Sequence, residues 1–199
     1  MDINPKIIIV AERDTCATTT AWMERIQLFA QHLHLFPHVL LQIRAKTQPS
    51  LRWSALASIP LHPQVVVNGS PLEFSLAQME MMHFPQREAP STRPPFPFGM
   101  SIHHPDDPNR YAHLRPLYYQ LGPIFSPLSK EGTGKGCTLI SQTRRYTRTP
   151  IIAVGGITPE SVAIVLESGA QGVASSGYLM RHPEPISALN ELSHHMNIL

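Results

Sequence analysis

IIAVGGITPESVAIVLESGAQGVASSG, residues 151–177, packs a strand, a glycine turn, a helix and a second strand into twenty-seven positions. The run Ile151–Gly155 reads as a strand buried on both faces, because it lacks the alternation of a half-exposed one. Thr158 can cap a helix, Pro159 suits its first position, and Gly169 closes it after VAIVLES. The next run, Gly172–Ser175, is again strand-like. Two strands joined by a helical crossover lie parallel in one sheet.

The same rhythm extends back along the chain. Candidate strands lie near Ile7–Ala11, Val39–Ile43, Val65–Asn68, Met81–Phe84, Phe98–His103 and Tyr118–Gly122, which with the two above make eight. In the first crossover Trp22, Ile26, Phe29 and Leu33 fall on one helical face. The fold class expected is therefore α/β, a single (β/α)8 TIM barrel spanning residues 1–199. About 200 residues is short for eight βα units, so the barrel is abbreviated. The fourth crossover, Pro85–Gly99, carries Pro85, Pro90, Pro94, Pro95 and Pro97 and is expected to be an irregular connection.

Composition narrows the function classes. The 42% apolar residues suffice for one core, and 16 Lys+Arg against 14 Asp+Glu leave a formal charge of +2. That balance argues against a nucleic-acid or membrane surface and leaves small anions as ligands. Cys16 and Cys137 stand far apart without metal-ligand spacing. The opening MDINPKIIIV has too short an aliphatic run for a signal or membrane segment, so a cytoplasmic protein is expected.

Three constellations can carry chemistry. Gly155 and Gly156 end a strand just before a helix, where bare backbone N–H groups approach an anion closely, and Ser175 and Ser176 end the last strand. Barrels commonly bind phosphate between these two loops. In LLQIRAK, Gln42, Arg44 and Lys46 alternate and share one face; the competing reading is an ion pair at the barrel bottom with Glu12 or Glu73. In LGPIFSPLSKEGTGKG, hydroxyls of Ser126 and Ser129 and the ammonium of Lys130 follow a strand end in a glycine-rich loop, as a phosphate clamp requires. GTGKG lacks Walker A spacing.

His83 and His103 sit at strand ends and are candidates for acid or base, with a hydrogen-bonded structural role as the alternative. His32 and His34 read as a solvated face, and Arg144, Arg145 and Arg148 as an exposed helix end.

QIRAK, VVVNG, MMHFPQRE, GMSIHH, GPIFSPLSK, IIAVGGIT and GVASSG occur in the order seen in thiamin phosphate synthases, and the chain resembles that family and its thiazole tautomerase relatives over nearly its whole length. The resemblance implies that Gln42, Arg44, Lys46, Asn68, Ser129 and Lys130 grip the pyrophosphate and pyrimidine of hydroxymethylpyrimidine diphosphate. It places Gly156 and Ser176 at the thiazole phosphate, and Gly155 and Ser175 of the same two loops belong to the substrate-binding set. Ser101 in GMSIHH and Ser126 join the substrate-binding set. Arg44, Lys130, His83 and His103 are the candidate catalytic groups. The implied partners are these phosphorylated ligands, with a homodimer left open.

The family resemblance also implies Mg²⁺, held by carboxylates after the third and fourth strands. This chain has Gly69 and Glu88 there, so Glu88 is the remaining metal ligand and Mg²⁺ binding is expected to be weakened. Gly69 is similar to the tautomerase pattern, whereas Pro123 stands where tautomerases carry a histidine. The expected activity is condensation of the pyrimidine diphosphate with thiazole phosphate. Tautomerase-like isomerisation and non-catalytic binding of a thiazole phosphate or thiamin phosphate are the alternatives.

Overall fold

Residues 5–60, 62–70, 79–126 and 134–198 are described in the computed structural model of the chain. Its strands are β1 (Ile7–Glu12), β2 (Val39–Arg44), β3 (Val65–Asn68), β4 (Met82–Phe84), β5 (Phe98–Ile102), β6 (Tyr118–Leu121), β7 (Ile151–Val154) and β8 (Gly172–Ser175). All neighbours are parallel and follow chain order, and β8 pairs with β1 to close the barrel. Closure leaves no strand edge exposed.

Side chains alternate between two cores. Ile8, Val10, Leu40, Val66, Met81, Tyr118, Ile152 and Ala174 form the cluster inside the barrel. Their neighbours Ile7, Ile9, Leu41, Val65, Val67 and Met82 belong to the larger layer between strands and helices. Helix α1 (Thr19–His32) begins where the Thr18 hydroxyl accepts the Ala21 N–H at 3.0 Å. It buries Trp22, Ile26 and Phe29, and the Trp22 indole donates to the Ala11 carbonyl at 2.9 Å. That bond ties α1 to the end of β1.

The remaining helices among the described residues are α2 (Leu51–Ala57), α3 (Asp107–Tyr111), α4 (Thr138–Arg144), α5 (Pro159–Glu167), α6 (Gly177–Arg181) and α7 (Pro185–His195). At the start of α5 the Ser161 hydroxyl accepts the Thr158 N–H at 3.1 Å, and Gly169 follows the helix at φ +106°. Between β4 and β5 the chain makes one 3-10 turn, Gln86–Glu88, and otherwise runs without regular structure. Phe96 and Phe98 pack on Phe84 there, with ring centroids 6.3 and 5.3 Å away, covering β4 where a helix would otherwise lie.

Two surface expectations are corrected. Arg144 is half-buried rather than exposed: its guanidinium donates to the carbonyls of Thr147 and Thr149, each at 3.1 Å, and to that of Gly169. Arginine can satisfy several carbonyls at once where a helix ends, and Arg144 uses that capacity to tie the α4 exit to the α5 exit. His32 is likewise half-buried, its Nδ1 lying 2.8 Å from the Leu28 carbonyl, while His34 is exposed in the next turn. Among the described residues no helix is long and apolar enough to cross a membrane.

Candidate active site

The register of β1 and β2 ends with Glu12 opposite Arg44, at the carboxyl ends of both strands. Their side chains form an ion pair, and Glu12 Oε1 also accepts the Lys46 N–H at 3.3 Å. The pair with Glu12 therefore exists, but at the barrel mouth instead of the bottom, because both residues close their strands. Glu73 lies outside the described residues.

Above this pair opens a cavity of about 550 Å³ over the ends of β2 to β5. Among the described residues Arg44, Lys46, Arg52, Arg87 and Arg110 bring five cations to its wall, together with one carboxylate, Glu88. Asn68 and His103 complete its polar lining. Burial, and then the neighbouring Arg87 and Arg52, hold the Arg44 guanidinium below its ordinary pKa. Like charges gathered this way favour an anionic guest.

Besides Arg44, three of these cations have a local partner. Arg52, on α2, donates from Nε to the Pro49 carbonyl at 3.0 Å and from a terminal nitrogen to the Asn68 carbonyl, joining α2 to the end of β3. Arg87 donates to its neighbour Glu88 at 3.1 Å. Arg110 lies over the Tyr111 ring, 5.3 Å from its centroid. Two loops that carry these groups meet at Asp107. Its Oδ2 accepts the N–H groups of His103 and His104 at 2.8 and 2.7 Å, and Oδ1 accepts the Gln86 amide at 2.9 Å.

Beneath the cavity lies a polar layer inside the barrel. Gln42 is fully buried and accepts the Gln120 amide at 3.3 Å, and its own Nε2 has no hydrogen-bond partner among the described residues. His83 is also fully buried, with Nδ1 3.2 Å from the Tyr118 hydroxyl and Nε2 2.8 Å from the Ser101 hydroxyl. Burial, reinforced by Arg44, pushes its pKa down to about 3. His83 is thus a neutral, hydrogen-bonded group below the mouth, not an exposed acid or base. Ser101 is engaged by it. His103 does reach the cavity, with Nδ1 2.7 Å from the Gly122 carbonyl.

Across the mouth, Gly155 and Gly156 adopt φ of +105° and +62°. A Cβ on Gly155 would meet Pro123 at 2.8 Å, and one on Gly156 would meet the Ser126 carbonyl at 2.6 Å. Only glycine lets the turn after β7 lie this close to the segment after β6. The Ser175 hydroxyl donates to the Ile157 carbonyl at 3.1 Å, so it is committed to the fold. The Ser176 hydroxyl is buried without a hydrogen-bond partner among the described residues. Ser126 is exposed and accepts the Gly134 N–H at 3.4 Å. Ser129 and Lys130 lie outside the described residues.

The structure therefore gathers Arg44, Lys46, Asn68, Glu88 and His103 in one cavity, and sets Gln42, His83 and Ser101 below it. Arg52, Arg87, Arg110 and Asp107 were not anticipated. Arg87 stood within MMHFPQRE, between two residues already singled out, and was the one legible signal.

A family model described as thiamine monophosphate synthase matches residues 77–179. The thiamine-phosphate synthase of Anoxybacillus flavithermus is 37% identical over 79 residues, covering 38% of this chain and 36% of that protein. The Methanoregula boonei enzyme of the same name is 29% identical over 100 residues, covering 49% and 46%. The matched stretches thus span less than half of these relatives. Among solved structures, thiamine phosphate pyrophosphorylase from Pyrococcus furiosus superposes with a TM-score of 0.74 at 15% identity, covering 98% of this chain and 97% of its own. A 3-hexulose-6-phosphate synthase reaches 0.66 at 14% identity, covering 96% and 99%, so the barrel itself is common to different activities. The family match is the more specific finding: it runs from β4 into α6, through the Arg87 turn and the glycine turn after β7, over half of the sequence, and by it the chain belongs to the thiamine monophosphate synthase (TMP-TENI) family.

Proposed function

We propose that the chain condenses hydroxymethylpyrimidine diphosphate with thiazole phosphate to give thiamin phosphate and pyrophosphate. The observation that carries this reading is the five-cation cavity at the carboxyl ends of β2 to β5; the glycine turn after β7 and the buried Ser176 hydroxyl after β8 lie at the same end of the barrel. In the reaction the bond from the pyrimidine methylene to the diphosphate oxygen breaks and a bond from that carbon to the thiazole nitrogen forms. Negative charge grows on the departing pyrophosphate, which is where guanidinium and ammonium groups lower the barrier.

In this reading Arg44, Lys46, Arg87 and Arg110 hold the diphosphate, with Asn68 beside them. The backbone of Gly155 and Gly156 and the Ser176 hydroxyl hold the thiazole phosphate. The buried Gln42 amide faces the pyrimidine, and Ser129 and Lys130 join the diphosphate grip. Holding the two substrates in line replaces a bimolecular encounter by an oriented one, a large part of the rate gain.

Incubation of the purified protein with both substrates, followed by chromatography for thiamin phosphate, tests this. Product that disappears in Arg44→Ala is the expected result. Thiazole phosphate binding with no product would favour a non-catalytic barrel, and conversion of a thiazole carboxylate phosphate alone would favour the tautomerase reading.

A further inference from the structure

Mg²⁺ is implied for this family, and the cavity offers the wrong donors for it. A hard divalent ion of this size takes oxygen ligands in octahedral geometry, usually with one or two carboxylates. Glu88, the one carboxylate in the wall among the described residues, already accepts from Arg87. The position after Asn68 is Gly69, whose N–H donates to the His83 carbonyl at 3.0 Å and whose side chain supplies no oxygen. Among the described residues no three His, Cys, Asp or Glu side chains gather as a metal site.

The charge is also of the wrong sign. Among the described residues five cations line the wall, and Glu88, the underlying Glu12 and Asp107, which holds the wall residues Gln86 and His103, offset three of them, leaving a surplus of two. A further divalent cation would be repelled by that surplus, whereas a diphosphate would neutralise it. The guanidinium of Arg44 is already destabilised by burial and by Arg87 and Arg52, a strain that an anion relieves and a metal ion increases.

Resting on the diphosphate reading of this cavity, we infer that guanidinium groups take the place of the divalent cation here, with Arg87 and Arg110 as the residues that complete a metal-independent diphosphate cradle. Arg87 sits in the 3-10 turn after β4 and Arg110 on α3 after β5, whereas Arg44 ends β2 and Lys46 follows it, so these cations reach the cavity from different strand ends. Arg52 acts from behind as fixed charge, since its nitrogens serve the Pro49 and Asn68 carbonyls. Planar, forked donors match phosphate oxygens in pairs, a geometry that compensates for the coordination lost with the metal.

Calorimetric titration of the full chain with inorganic pyrophosphate, once in EDTA and once with Mg²⁺, tests the inference. The expected dissociation constants agree within about threefold, and Arg87→Ala and Arg110→Ala each weaken binding in EDTA by about tenfold. Both side chains are exposed at the rim, and an unchanged circular dichroism melt shows that the variants remain folded. Pyrophosphate that binds only when Mg²⁺ is present overturns the inference and leaves the synthase reading intact. Binding in EDTA that ignores both substitutions overturns it as well. No binding in either buffer overturns both the cradle and the diphosphate reading beneath it.

Discussion

His83 is held between two hydroxyls, Tyr118 on Nδ1 and Ser101 on Nε2, and is neutral down to about pH 3. An unfolded chain would protonate the same ring near its ordinary value of 6.5. Below that value the unfolded state binds the extra proton and the folded state does not, so the stability from His83 is present above it and is lost as pH falls toward the folded value. Between about pH 6.5 and pH 5 the loss amounts to roughly 2 kcal/mol. Urea unfolding at those two pH values checks this: His83→Gln is expected to flatten the difference by about that amount, and an unchanged pH dependence in the variant would refute the assignment. At this scale the sequence was ambiguous. A histidine at a strand end reads equally as an acid, a base or a buried neutral group, and only the inward orientation and the Tyr118 and Ser101 hydroxyls decide it.

Asp107 shows what loops contribute. Its carboxylate gathers three donors from two connections, His103 and His104 after β5 and Gln86 after β4, so one residue at the head of α3 sets where Arg87, Glu88 and His103 meet the cavity. Asn at this place keeps the shape but cannot accept all three. Asp107→Asn is expected to cost on the order of 2 kcal/mol of stability, because three donors lose a charged acceptor, and to weaken pyrophosphate binding through the displaced Arg87. Denaturant unfolding and calorimetry read the two effects separately; full stability with full affinity would remove Asp107 from this role. The strands themselves were legible nearly to the residue, since runs such as KIIIVA and QVVVN are buried on both faces and carry their own signature. Arg44 and Lys46 followed from alternation along the second strand, and Asn68 from the family resemblance. Arg52, Arg87 and Arg110 did not, because an arginine on a short helix or turn looks like any solvated cation until the barrel closes and turns it toward the mouth.

Taken as a whole molecule, the chain is nearly neutral, yet it concentrates five cations at one end of the barrel. The formal charge of +2 says nothing of this polarity. An anion approaching the mouth meets a local field much larger than the net charge suggests. Pyrophosphate affinity is therefore expected to fall by on the order of tenfold when salt is raised from about 0.01 M to 0.15 M, as the screening length shrinks from roughly 30 to 8 Å. A neutral osmolyte at matched concentration is the control. Affinity indifferent to salt would mean that contacts, and not the gathered field, hold the anion.

The crossover that covers β4 gives the barrel a further property. Pro85, Pro90, Pro94, Pro95 and Pro97 stiffen a segment that has almost no regular structure, and Phe96 seats it on Phe84. Each proline has most of its backbone freedom removed before folding begins. This stretch therefore reaches the barrel wall already restricted, with less disorder to surrender than a glycine-rich coil of equal length. A short chain can in this way close its ring of coverings without lengthening into another helix.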